Sequence, residues 1–154
     1  MIKIAINGFG RIGRQVFKKI EESHKNLEVV AINDLTDNKT LAHLLKYDSN
    51  YGRYGKEISA TEDYIVVGKN KYLALAEKDP EKLPWKKLEV DIVLECTGLF
   101  TDKAGAGKHI EAGAKKVIVS APCKDLPGFV LGVNADTYDS KKVDIMDMGS
   151  CTTN

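Results

Sequence analysis

The sequence predicts an α/β fold, a doubly wound, mostly parallel sheet with a small antiparallel excursion. Two observations predict it. Short apolar runs alternate with amphipathic stretches of helical period along the whole chain. The first apolar run ends in a glycine-rich loop, Gly8-Phe9-Gly10-Arg11-Ile12-Gly13, that opens a helix. With 154 residues, 43% of them apolar, the chain has the size and the material for one domain with a substantial core.

Each element follows in order. Ile2–Ile6 reads as a first, buried strand. Arg11–Glu22 reads as a helix, with Ile12, Val16, Phe17 and Ile20 inward and Lys18, Lys19, Glu21 and Glu22 outward. Leu27–Asn33 is a second strand, and Asp37 is placed to cap a helix running through Leu41, Leu44 and Leu45 to about Tyr47. Tyr51–Gly55 is a Gly/Tyr-rich loop. Short β-like segments lie around Ile58, Ile65-Val66-Val67 and Tyr72-Leu73-Ala74, with Gly68-Lys69-Asn70 as a hairpin turn. Pro80 and Pro84 break the next stretch into turns. Asp91–Cys96 is a strongly apolar strand, Asp102–Ala112 a helix closed by Gly113, and Lys116–Ser120 another strand bounded by Pro122. Phe129–Val133 and Val143–Met148 are expected to complete the sheet.

Composition narrows the function. Lys+Arg 23 against Asp+Glu 22 leaves a formal charge of +1, which gives no electrostatic reason to expect nucleic acid or a membrane as principal partner. The start carries no signal-peptide pattern, and no apolar run reaches the roughly 18 residues of a membrane span. Three cysteines, Cys96, Cys123 and Cys151, form neither an even disulfide framework nor a close metal-binding pair, so a reducing, cytoplasmic setting is expected.

The glycine loop lies between a predicted strand and a predicted helix, and Asp34 stands at the end of the next strand, 21 positions after Gly13. This is the Rossmann-type dinucleotide pattern. Gly8 permits the tight turn, Gly10 lets the backbone approach a pyrophosphate, and Gly13 lets helix and strand pack closely. N–H groups around Arg11 and Ile12 would face phosphates at the positive end of the helix. Asp34 would accept hydrogen bonds from the adenosine ribose. A 2′-phosphate beside it would meet like charge, so NAD is favoured over NADP, a preference Lys39 could soften.

At the other end, an apolar strand runs through Met148-Gly149-Ser150 into Cys151-Thr152-Thr153-Asn154. Ser150 is a suitable N-cap, which would put Cys151 in a first helical turn where the dipole favours thiolate. Cys96 reads as core and Cys123 as a loop thiol. Of the histidines, His24 and His109 read as solvated and His43 as packed or solvated; none is assigned as a catalytic base.

Together the stretches Ile6-Asn7-Gly8-Phe9-Gly10-Arg11-Ile12-Gly13-Arg14, Ile32-Asn33-Asp34-Leu35, Leu44-Leu45-Lys46-Tyr47-Asp48-Ser49, Glu95-Cys96-Thr97-Gly98, Ser120-Ala121-Pro122 and Ser150-Cys151-Thr152-Thr153-Asn154 resemble phosphorylating glyceraldehyde-3-phosphate dehydrogenases. The resemblance covers the whole chain as an NAD-binding domain. It implies that Asn7, Gly8, Gly10, Arg11, Ile12 and Asp34 hold NAD. Lys78 would border the adenine where the family usually has arginine, Thr97, Gly98 and Phe100 would line the cofactor channel, and Ser120 would approach the nicotinamide. Cys151 would be the nucleophile, with Ser150 and Thr152 near substrate or inorganic phosphate. The family also implies an aldehyde phosphate substrate, a base and phosphate-binding residues in a following domain absent from this chain, and a homotetramer. The chain alone is therefore expected to bind NAD but to turn over almost nothing; a stand-alone NAD-binding module and an erythrose-4-phosphate dehydrogenase are the alternatives. Two departures stand out: Asp147-Met148-Gly149 where Ser-Asn-Ala is usual, and Cys123 for the commoner serine.

Overall fold

The computed structural model describes all 154 residues. Its elements are β1 (Ile2–Asn7), α1 (Arg11–Ser23), β2 (Leu27–Asn33), α2 (Asn38–Lys46), β3 (Tyr47–Asp48), β4 (Gly52–Arg53), β5 (Ile58–Ala60), β6 (Tyr64–Val67), β7 (Asn70–Leu75), α3 (Trp85–Leu88), β8 (Ile92–Glu95), α4 (Lys103–Glu111), β9 (Lys116–Val119) and β10 (Ile145–Asp147). Eight strands form one sheet in the order β10-β9-β8-β1-β2-β7-β6-β5, and β3 pairs with β4 apart from it. The six strands from β10 to β7 run parallel; β6 and β5 are antiparallel, the expected excursion. The chain winds outward from β1 in both directions, so a crevice opens at the carboxyl ends of the strands beside β1.

The alternation of β1 explains why both faces are covered. Ile4 and Ile6 point into one core with Phe9, Phe17, Ile32 and Leu45, while Ala5 points into the other with Trp85, Val93, Ala106 and Val117. Phe17 is the hub of the first core, edge-on to Phe9 at 5.6 Å and to Tyr72 at 4.8 Å between ring centroids. Asp37 and Asp102 cap α2 and α4, accepting from the Thr40 and Gly105 N–H groups. The β6–β7 hairpin turns through Gly68 and Lys69, with Gly68 at φ +61°.

Three readings are corrected. Phe129–Val133 is not a strand: only an isolated bridge joins Gly128 to Asp147. Asn134 captures this segment instead, its side chain accepting from Val130 N at 2.8 Å and donating to Gly128 O at 2.9 Å. On α1, Lys18 is buried and Ile12 is half exposed, the reverse of the amphipathic expectation. The Tyr54 ring explains the burial: Lys18 Nζ sits 4.9 Å from its centroid, and desolvation lowers the lysine pKa. Cys96 lies one residue beyond β8 rather than inside it.

Candidate functional site

The residues singled out from sequence fall along one edge of the sheet, because each follows the carboxyl end of a parallel strand. Lys78 follows β7, Asp34 follows β2, the glycine loop follows β1, Thr97 and Gly98 follow β8, Ser120 follows β9, and Cys151 follows β10. Neighbouring strands are about 4.8 Å apart, so the turn after β10 stands roughly 14 Å along the edge from the end of β1.

A crevice of about 490 Å³ opens in the middle of this edge. Its walls bring together Asn7, Gly8, Gly10, Asp34, Lys78, Thr97 and Phe100 of the expected cofactor residues. Asn33, Leu35, Glu77, Cys96 and Leu99 also line it and were not anticipated. Arg11, Ile12, Gly98, Ser120, Ser150, Cys151 and Thr152 do not contribute to its walls. A larger hollow of about 750 Å³ lies elsewhere, lined by residues of α2 and β5 such as Lys39, His43 and Lys46.

The glycines have separable reasons. Gly8 has φ +90°, and a Cβ there would lie 2.6 Å from Thr97 N. A Cβ on Gly13 would lie 2.1 Å from Gly8 O, so helix and loop touch backbone to backbone. A Cβ on Gly10 would meet nothing within 4 Å. The fold makes no demand for glycine there; the open space faces the start of α1. The N–H groups of Arg11, Ile12 and Gly13 find no acceptor within the chain, which is the arrangement that receives an anion at a helix N-terminus.

Arg11 offers only its main chain. Its guanidinium is turned to Asp48 at 2.5 Å, where Gln15 Nε2 also donates at 2.8 Å. Burial alone would raise the Asp48 pKa, but the Asn50 and Tyr51 N–H groups and Arg11 outweigh it and hold the carboxyl at about 2. Asp34 is oriented by two backbone donors, Phe9 N to Oδ2 at 2.7 Å and Thr36 N to Oδ1 at 2.9 Å. Each oxygen keeps an acceptor site open toward the crevice.

The three thiols differ sharply. Burial pushes Cys96 up to about 11, with Ser120 partly opposing and Glu95 adding. Burial likewise pushes Cys123 to about 11, with Asp147, Asp125 and Asp102 adding. Cys151 is exposed. Ser150 does cap it: Oγ accepts from Thr153 N at 2.9 Å, and Asn154 N reaches Ser150 O at 3.2 Å. The result is a single turn over 151–153 rather than a regular helix. The unusual Asp147 is buried and braces this turn, accepting from Gly149 N at 2.7 Å and Cys123 N at 3.1 Å.

The expectation for His109 fails. The ring is fully buried on the inner side of α4, between Trp85 and Glu95. His24 and His43 are exposed.

The family model described as glyceraldehyde 3-phosphate dehydrogenase, NAD binding domain, matches residues 2–103. The glyceraldehyde-3-phosphate dehydrogenase of Geobacillus stearothermophilus is 53% identical over 154 residues, covering 99% of this chain and 46% of its own length. That of Clostridium pasteurianum is 54% identical over 155 residues, covering 100% of this chain and 46% of its own. That of Chlamydia pneumoniae is 49% identical over 154 residues, with coverage of 99% and 46%. The chain spans just under half the length of these relatives. It belongs to the family of glyceraldehyde 3-phosphate dehydrogenase NAD-binding domains, whose cofactor is NAD.

Proposed function

We propose that the chain is the NAD-binding part of a phosphorylating glyceraldehyde-3-phosphate dehydrogenase and holds NAD extended along the carboxyl edge of its sheet. The observation that carries this reading is the order of groups on that edge: Lys78, Asp34, the glycine loop, Thr97 and Gly98, Ser120, then Cys151. It is the order in which adenine, ribose, pyrophosphate and nicotinamide would meet the protein, with the thiol beyond them. The open space at Gly10 and the acceptor-free N–H groups of Arg11, Ile12 and Gly13 fit a pyrophosphate. Asp34, with two oxygens held outward, fits a ribose diol and repels a 2′-phosphate. Lys78 is exposed beside the adenine end, and Thr97 and Phe100 form the far wall.

When bound, NAD supplies the two-electron acceptor for an aldehyde oxidation. The chain's own contribution to chemistry is Cys151, which adds to the aldehyde carbon and afterwards carries the acyl group as a thioester. Inorganic phosphate attacks that thioester, releasing an acyl phosphate and restoring the thiolate, with Ser150 and Thr152 beside the reacting carbon. No histidine of the chain serves as the base: His109 has both ring nitrogens engaged, His24 follows α1 at the opposite edge of the sheet from Cys151, and His43 lies on α2 beside the separate, larger hollow. We assign the base and the substrate-phosphate residues to the part of the enzyme matching the rest of the relatives' length. The same reading makes the whole protein a cytoplasmic homotetramer. No helix here is long and apolar enough to cross a membrane.

Calorimetric titration tests the cofactor geometry. NAD is expected to bind at least tenfold tighter than NADP, and Asp34→Ala to lose most of that difference. Equal binding of the two cofactors by the unaltered chain would overturn the assignment of Asp34.

A further inference from the structure

Behind the crevice runs a chain of buried polar groups that nothing in the mechanism uses. Trp85 Nε1 donates to His109 Nδ1 at 3.0 Å, and His109 Nε2 lies 3.0 Å from Glu95 Oε2. Asn7 Nδ2 donates to the same oxygen at 2.6 Å. The other oxygen, Oε1, accepts from Thr97 N at 2.7 Å and from the Thr97 hydroxyl. Asn33 Nδ2 donates to Asn7 Oδ1 at 2.7 Å, and Asn33 exchanges hydrogen bonds with the Glu77 backbone at 2.8 and 2.9 Å. Trp85, His109, Glu95 and Asn7 are all essentially inaccessible to water.

The protons in this chain can be placed by elimination. An indole N–H only donates, so His109 Nδ1 must be bare and the ring proton must sit on Nε2, aimed at Glu95. Glu95 then receives four donors and gives none, which is the pattern of an ionised carboxylate. The 3.4 Å contact between Asn7 Nδ2 and His109 Nε2 is two donors sharing one acceptor. A buried charge held only by neutral donors has one favourable orientation, because rotating it would break four bonds at once. Asn7, Asn33, Glu77 and Thr97 line the crevice, whereas His109, Glu95 and Trp85 do not.

We propose that His109 is a positioning residue for the nicotinamide half of the cofactor site. Acting from behind the crevice, its Nε2–H fixes the Glu95 carboxylate, and Glu95 sets the Asn7 amide and the Thr97 loop that face the ligand. The Asp34 carboxylate is held separately, by Phe9 N and Thr36 N, and the adenosine half meets this chain of groups only at its far end, where Asn33 grips the Glu77 backbone rather than Asp34. The inference rests on the reading that NAD crosses from β2 to β8.

The test compares NAD with 5′-AMP, which engages only the adenosine half, by calorimetry on the chain and two variants. His109→Phe keeps ring volume but removes the donor to Glu95; His109→Gln restores a donor there. NAD affinity is expected to fall at least tenfold in His109→Phe with AMP affinity within twofold, and to recover in His109→Gln. A parallel loss of NAD and AMP, or no loss of either, would overturn the proposal. Absence of NAD binding by the unaltered chain would overturn the underlying reading, and the proposal with it. The unaltered chain also gives a direct check by nitrogen NMR of the His109 ring: Nε2 protonated and Nδ1 bare supports the assignment, and protonation of Nδ1 contradicts it.

Discussion

Substituting the glycines of the loop one at a time separates what the fold requires from what the cofactor requires. Gly10 has φ −76° and ψ −154°, extended backbone with the negative φ that alanine requires, and its Cβ would meet nothing within 4 Å. As an N-cap, alanine is worse than glycine by roughly 0.5–1 kcal/mol, while restricting the unfolded chain returns about 0.4–1 kcal/mol. Gly10→Ala should therefore shift Tm by no more than about 2 °C, taking roughly 2–4 °C per kcal/mol at this chain length. Its methyl would occupy the space assigned to the pyrophosphate. An overpacking penalty of about 1–3 kcal/mol corresponds to a roughly 5- to 150-fold loss of NAD affinity. Gly13→Ala is the contrast, since its Cβ would stand 2.1 Å from Gly8 O and only backbone movement can relieve that. An overpacking cost at the upper end, about 3 kcal/mol, less about 1 kcal/mol of helix propensity, leaves about 2 kcal/mol and a Tm drop of roughly 4–8 °C. Thermal unfolding and calorimetric titration on the same preparations measure both. Undiminished NAD affinity in Gly10→Ala, or a Tm loss matching that of Gly13→Ala, would refute the division of roles.

Other outcomes follow from the same geometry. The folded Asp48 carboxyl, at about 2 against an ordinary 3.8, contributes stability that is fully present above pH 4 and disappears as pH falls through 2; Asp48→Asn should flatten acid unfolding across that window, and an unchanged profile would exclude the Arg11–Asp48 pair as its source. With Cys96 and Cys123 both near 11, about one in three thousand of either is thiolate at pH 7.5, so iodoacetamide followed by peptide mapping should find Cys151 labelled first. Removing the brace under the thiol turn, Asp147→Ala should cost about 1.5–3 kcal/mol in urea unfolding through the lost bonds to Gly149 N and Cys123 N. A value near zero would mean that Asp147 does not anchor that turn.

What the sequence made legible is what local pattern encodes. The strand periods, the glycine loop and the capping Asp37 each lie within a few residues of what they organise, so β1, α1, β2, α2 and the β6–β7 hairpin follow closely from the local pattern. Missing from the sequence reading are the long-range pairings. His109 follows a lysine on a weakly amphipathic helix, and its partners Trp85 and Glu95 stand 24 and 14 positions away. A signal for it did exist: Glu95 interrupts an otherwise apolar run, and a carboxylate in a buried strand must find donors. Lys18 is hidden by the Tyr54 ring, again far along the chain, and Arg11 is drawn away from the crevice by Asp48. Phe129–Val133 carries the apolar pattern of a strand, but the side chain of Asn134 competes for its backbone.

An NAD titration followed by amide NMR on uniformly ¹⁵N-labelled chain shows whether NAD lies along the carboxyl edge with its pyrophosphate on the start of α1. For that placement the largest shifts are expected at Arg11, Ile12 and Gly13, with further shifts at Asp34, Thr97 and Gly98. Shifts concentrated instead at Lys39, His43 and Lys46, around the larger hollow beside α2, would contradict it.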